Sequence, residues 1–155
     1  MRRKEKEITN SKELNEIIME ADFCYVAMSK NNIPYLIPMN YGFHEPCIYL
    51  HSANEGLKID ILRRNPQVCI GIVRNVKIEK MPDVCKTSMQ YSSVIIVGKA
   101  EFLTDKGEKS EALSHIVQHY EQDVSSEKLN FNEYELDRVT VLKVRIEKIS
   151  GKKSI

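Results

Sequence analysis

The chain of 155 residues has no long apolar run, no closely spaced cysteine pair and no excess of charge of either sign. Its longest purely aliphatic stretch, Val94 to Val97, falls far short of the ~18–20 residues that span a bilayer, so no membrane-crossing helix is expected. The first residues, Met-Arg-Arg-Lys-Glu-Lys-Glu, are followed by no apolar segment, which leaves a secretory signal without its hydrophobic region and predicts a cytoplasmic protein. Cys24, Cys47, Cys69 and Cys85 are scattered and form no Cys-x-x-Cys bite for zinc or redox chemistry; they read as free thiols, with Cys24 and Cys69 inside apolar strand-like runs. With 23 Lys and Arg against 22 Asp and Glu, the formal charge of +1 gives no footprint for nucleic acid or an anionic membrane. Any phosphate site must therefore be local.

No repeat, low-complexity tract or Pro/Gly/Ser-rich linker divides the chain, so residues 1–155 are read as one domain. A chain of this length buries roughly 68–70% of its unfolded surface, enough for a core without disulfide or metal. Leu14, Ile17, Ile18 and Ala21 follow the spacing of a buried helix stripe, and Asn10 with Glu13 resembles a capping box at its start. Strands are predicted over Phe23–Ser29, Tyr35–Tyr41, Cys47–His51, Val68–Arg74, Tyr91–Leu103 and Arg138–Ile149, with a short helix over Asn54–Arg64 and another over Lys106–Tyr120. Residues 75–90 read as a polar excursion. Gly98 marks a bend or bulge, and the apolar alternation slips phase between Val141 and Leu142, which predicts a second bulge. Six strands with few, short helices indicate a mostly β domain, a small closed or split antiparallel barrel.

Chemistry concentrates in the segment Tyr49-Leu50-His51-Ser52-Ala53-Asn54-Glu55-Gly56-Leu57-Lys58. A strand that runs into a helix start brings unpaired N–H groups and the positive end of the helix dipole to one point, the preferred seat of a phosphate. Lys58 in the first turn opposes that dipole, by about 0.3–1 kcal/mol, unless an anion lies between them. The structural alternative is that Asn54 caps the helix and Lys58 points to water. His51 reads either as a hydrogen-bonded spacer or as a proton donor, since the unperturbed imidazole pKa of about 6.5 suits that task. His115 and His119 stand four apart on a helix, but no Glu follows His115 and no third ligand is evident, so no metal is expected there.

The segments Pro34-Tyr35-Leu36-Ile37-Pro38-Met39-Asn40-Tyr41-Gly42, Leu50-His51-Ser52-Ala53 with Gly56 and Lys58, Leu62-Arg63-Arg64-Asn65-Pro66, Tyr91-Ser92-Ser93-Val94 with Gly98-Lys99-Ala100, and Ile149-Ser150-Gly151-Lys152 occur in one order along the chain. In that order they resemble the nitroimidazole-resistance (Nim) branch of the pyridoxamine 5′-phosphate oxidase-like flavin-binding split-barrel family. The resemblance implies a six-stranded antiparallel split barrel that dimerises, with two FMN sites in clefts between the protomers. It implies that Ser52 and Lys58 hold the phosphate, that Asn40, Tyr41, His51 and Ala53 line the ribityl chain and ring, and that Tyr91, Ser92 and Ser93 approach from the partner or the cleft floor. Pro38, Met39 and Gly56 complete the implied cofactor contacts, and His51 is the implied catalytic residue. The implied activity is reduction of small, flat nitroaromatic acceptors, with a reduced nicotinamide as electron donor. FAD in place of FMN, flavin binding without turnover, and haem binding through His51, His115 or His119 are the other readings. The full set of Arg and Lys residues of the vitamin B6 oxidases is not found, so that oxidation is not expected.

Overall fold

The computed structural model describes residues 3–121, 123–125 and 129–154. Asn10 opens the first helix as its spacing predicts: its Oδ1 accepts from the N–H groups of Lys12 and Glu13, at 2.9 and 3.4 Å. The capping box is not completed there, because the Glu13 carboxylate pairs with Lys153 at 2.7 Å instead. Helix α1 (Ser11–Glu20) buries Leu14, Ile17 and Ile18, the predicted stripe. Around it run β1 (Glu7–Ile8), β2 (Cys24–Lys30), β3 (Ile33–Met39), β4 (Gly42–His44), β5 (Cys47–Ala53), α2 (Leu57–Arg64), β6 (Gln67–Glu79), β7 (Ser88–Phe102), α3 (Lys106–Tyr120), α4 (Glu133–Asp137) and β8 (Val139–Ser154).

All strand pairs are antiparallel, in the order β3-β2-β6-β7-β8-β5-β4, with β1 paired to β8. The sheet thus has eight strands where six were expected. The additional two, β1 and β4, are two and three residues long, too short to show an alternation. The expected polar excursion is also corrected: β6 runs on to Glu79 and β7 starts at Ser88, so that the two form a long hairpin arm. Where the arm leaves the sheet, Asn75 adopts a positive φ of 55° and the register shifts between Arg74 and Lys77. Asn75 and Val76 together stand opposite the single Tyr91, a bulge that restores the side-chain alternation beyond it.

Gly98 lies at a bulge, as predicted: Val97 pairs with Lys148 and Gly98 with Ile146, which leaves Glu147 as the extra residue. The bulge expected between Val141 and Leu142 is absent, since β5 pairs with β8 in unbroken register through both, and β7 pairs with it as far as Leu142. The phase slip has another cause. Strand β8 is buried on both faces here, with Leu142 in one apolar cluster and Val141 in a second.

The first cluster contains Val26 of β2, Ile70 of β6, Ile96 of β7, Leu142 of β8 and Leu50 of β5. Four strand spacings of ~4.8 Å would separate β2 from β5 in a flat sheet, so their meeting in one core requires the sheet to coil into a barrel. Helices α1 and α2 add Leu14, Ile17, Ile18, Ile61 and Leu62 to this core. The second cluster lies on the other face of β5, where Cys47 and Tyr49 pack with Ala112 and Ile116 of α3. Gly42 permits that packing, because a Cβ there would collide with the α3 backbone at His115 and Ile116.

Candidate functional site at the β5–α2 corner

Strand β5 carries Leu50 in the barrel core, then His51, Ser52 and Ala53, and stays paired to β8 through Ala53 opposite Val139. His51 and Ser52 therefore point to opposite faces by simple pleat geometry. Ser52 shares the inward parity of Ile48 and Leu50, whereas His51 shares that of Cys47 and Tyr49.

The helix begins at Leu57, three residues later than the sequence suggests, because Asn54 has other partners. Its Nδ2 donates to the Asp137 carbonyl at 2.8 Å, and its Oδ1 accepts from the Thr140 hydroxyl at 2.9 Å. Asn54 thus ties the corner to the end of β8 and does not cap α2. The capping position falls to Gly56, whose φ of +121° few other residues adopt and which has no side chain to offer the first-turn N–H groups. The N–H groups of Ile59 and Asp60 reach the Gly56 carbonyl, at 2.9 and 3.1 Å. Those of Leu57 and Lys58 precede the first intrahelical bond and lie at the positive end of the dipole.

Three buried side-chain polar atoms have no hydrogen-bond partner among the described residues, and two of them, His51 Nδ1 and Ser52 Oγ, are adjacent at this corner. Ser52 is only 6% exposed, so bulk solvent does not reach its hydroxyl. Such orphans cost about 1–3 kcal/mol each. Burial, and secondarily the Lys58 charge, hold the His51 imidazole below its ordinary pKa, which leaves it neutral at pH 7. Lys58 is half-buried and has no carboxylate within 4 Å among the described residues. An unsatisfied hydroxyl, an uncapped helix start and an unpaired cation together fit a phosphate monoester.

The other sequence-assigned residues divide into three groups. Pro38, Asn40 and Ala53 are exposed and can line a cleft, whereas Met39 is in the barrel core. Tyr41 corrects the sequence expectation. It is fully buried, its ring lies 4.4 Å from that of His119, and its hydroxyl donates to the Ile18 carbonyl. It locks α1 to the barrel and presents no surface to a ligand. Tyr91, Ser92 and Ser93 are half-buried but distant: Phe102, level with Leu142 and Leu50, is nine residues from Ser93, about 30 Å of strand. One chain does not bring them to the β5–α2 corner.

The other two histidine candidates are engaged elsewhere. His119 Nε2 lies 2.8 Å from the Ala21 carbonyl oxygen. His115 stacks between His44 and Tyr49, with ring centroids 4.5 and 5.1 Å away, and its buried Nε2 is the third orphan. Among the described residues no three His, Cys, Asp or Glu side chains converge as metal ligands, and no helix is long and apolar enough to cross a membrane.

Sequence reasoning missed one surface feature. The outward face carries exposed Leu36, Tyr25, Val73 and Ile95 in neighbouring strands, and continues along the arm through Val76, Ile78 and Met89. The bulge at Asn75 keeps these side chains on one face. A strict period-two reading breaks there, which hid the stripe.

A coiled antiparallel sheet with helices across its core defines a split-barrel protein. Residues 10–153 match the pyridoxamine 5′-phosphate oxidase family, and the chain belongs to that family. A candidate 5-nitroimidazole antibiotic resistance protein of Bacteroides thetaiotaomicron is 34% identical with a TM-score of 0.83, over 95% of this chain and 86% of that one. An FAD and haem binding protein of Mycobacterium smegmatis superposes with a TM-score of 0.86 at 16% identity, over 96% of this chain and 73% of that one, and shows the shared fold. No curated protein matches the sequence.

Proposed function

We propose that the chain is a flavin-dependent oxidoreductase that holds FMN at the β5–α2 corner, in a cleft completed by a second copy, and reduces small, flat nitroaromatic acceptors. The observation that carries this reading is the orphaned, buried Ser52 Oγ beside an uncapped helix start whose first turn holds the unpaired Lys58. Ser52 Oγ and the N–H groups of Leu57 and Lys58 would hold the phosphate, with the Lys58 ammonium supplying charge. Gly56 lets the backbone approach the ligand closely. An apolar groove of about 250 Å³ beside the first turn of α2, lined by Ile33, Tyr35, Leu57 and Ile61, offers room for a flat ring.

The bound flavin would supply the redox chemistry, taking hydride from a reduced nicotinamide and passing electrons to the nitro group. The chain's own residues orient, exclude water and handle protons. His51, held neutral, carries a proton on one ring nitrogen and accepts at the other, so it relays the proton that accompanies reduction. The outward apolar stripe supports the dimer, because exposed contiguous apolar surface of this kind marks an interface. It also accounts for Tyr91, Ser92 and Ser93, which can meet a β5–α2 corner only in a second copy. The candidate resistance protein from Bacteroides directs the choice of acceptor.

Three linked measurements test the reading: the absorption spectrum of the purified protein, the mass of the released cofactor, and reoxidation of the reduced protein by a 5-nitroimidazole. Flavin bands, an FMN mass and rapid reoxidation are expected. A haem spectrum or a colourless protein that takes up no flavin would refute it, and bound flavin indifferent to the acceptor would leave a binding protein.

A further inference from the structure

We propose that Lys152 is a cofactor-binding residue that reaches across the dimer to place a positive charge beside the partner's flavin ring; this rests on the flavin reading above. Lys152 stands directly opposite Ser93 in the β7–β8 ladder, and its carbonyl accepts the Ser93 hydroxyl at 3.3 Å. Its Nζ lies 5.4 Å from the centre of the Tyr91 ring. Tyr91, Ser93 and Lys152 thus occupy the same outward face as exposed Val73 and Ile95.

The neighbouring cations show what is unusual. Lys153, on the opposite face, pairs with Glu13 at 2.7 Å; Arg74 pairs with Glu20; and Lys6 Nζ reaches the Ser154 hydroxyl at 2.7 Å. Lys152 is half-buried with only an aromatic ring for company and no carboxylate within 4 Å among the described residues. A second copy laid over this face buries that ammonium further, which is costly unless an anion meets it. Flavin reduction provides one: two electrons and one proton enter the ring system, leaving one negative charge at its pyrimidine end. A cation held there favours the reduced over the oxidised form. The Tyr91 ring fixes the ammonium in place from its own chain.

The test is Lys152→Gln with Lys152→Arg as the conservative variant, both checked for an unchanged dimer mass. The readouts are FMN dissociation constants in the oxidised and reduced states and the potential of the bound couple. Lys152→Gln should lower the preference for reduced over oxidised FMN about tenfold, equivalent to a fall of ~30 mV in the two-electron potential. Lys152→Arg should stay within about threefold of wild type. Wild-type protein that binds flavin, with a glutamine variant unchanged in both states or weakened equally in both, overturns this assignment alone. Loss of the dimer without loss of redox preference also overturns it, in favour of a carboxylate on the partner. Wild-type protein that takes up no flavin removes both this assignment and the reading beneath it.

Discussion

The α1 end of the barrel and the β5–α2 corner are built from similar polar residues, yet they treat them in opposite ways. At the α1 end the Tyr41 hydroxyl donates to the Ile18 carbonyl, His119 meets the Ala21 carbonyl, and the Tyr120 hydroxyl donates to the Asp22 carbonyl at 2.9 Å. Arg74 and Lys153 hold the helix by Glu20 and Glu13. At the corner, Ser52 and His51 have buried atoms without partners, α2 has no side-chain cap, and Lys58 has no counter-ion among the described residues. Satisfied polar groups stabilise a fold; orphaned ones lower its stability and persist where a ligand completes them. On the proposed reading, the two regions separate what the chain needs to fold from what it keeps for binding.

Substitutions at the two ends should split cleanly. The largest effect is expected for His51→Ala, which should slow acceptor reduction roughly 10²–10⁴-fold while FMN affinity stays within about 1 kcal/mol, by stopped-flow oxidation of the reduced protein. An unchanged rate would make His51 a spacer.

Next in size is the contrast between Tyr41→Phe and Ser52→Ala in the apoprotein. Tyr41→Phe strands the Ile18 carbonyl and should destabilise by about 1–3 kcal/mol in urea unfolding. Ser52→Ala removes a buried hydroxyl that has no partner and should stabilise the apoprotein, by up to about 1–3 kcal/mol, while weakening FMN binding. Equal destabilisation by both would erase the distinction between the two ends.

The smallest effect concerns pH. Burial holds both His51 and His115 below their ordinary range; Lys58 adds to this at His51, and His44 does so at His115 against an opposing pull from Glu111. Above pH ~6.5 these histidines are neutral in folded and unfolded chains alike, so they give no pH dependence. As pH falls through 6.5 the unfolded chain takes up protons that the folded chain refuses, and apoprotein stability should decline. In His51→Gln that decline should become shallower. A stability that rises on acidification through this range would contradict the burial of both rings.

Much of this was legible in the sequence because local signals were strong. The helix stripe of α1 and the bulge at Gly98 follow from spacing and residue type, and so does the choice of His51, Ser52 and Lys58 as site candidates. What was hidden depended on tertiary partners. Asn54 has the residue type of a helix cap, but Asp137 and Thr140, more than 80 positions away, claim its side chain. Tyr41 sits in a segment that reads as cofactor-lining, and only the packing of α1 shows that its hydroxyl is engaged. Val141 and Leu142 look like a broken alternation because two cores, not one, flank β8. Lys152 lies in the Ile149-Ser150-Gly151-Lys152 segment, but nothing in that segment gives it a role; its isolation emerges only beside the paired Lys153 and Arg74.

The central claim, a phosphate seat at the β5–α2 corner, is tested most directly by titrating FMN and riboflavin into wild-type and Lys58→Ala apoprotein. The charge-assisted contact predicts that Lys58→Ala weakens FMN by about 1.5–3 kcal/mol and leaves riboflavin, which has no phosphate, within ~0.5 kcal/mol. An equal loss for both ligands would show that Lys58 acts through the fold, and the corner would not be the seat of a phosphate.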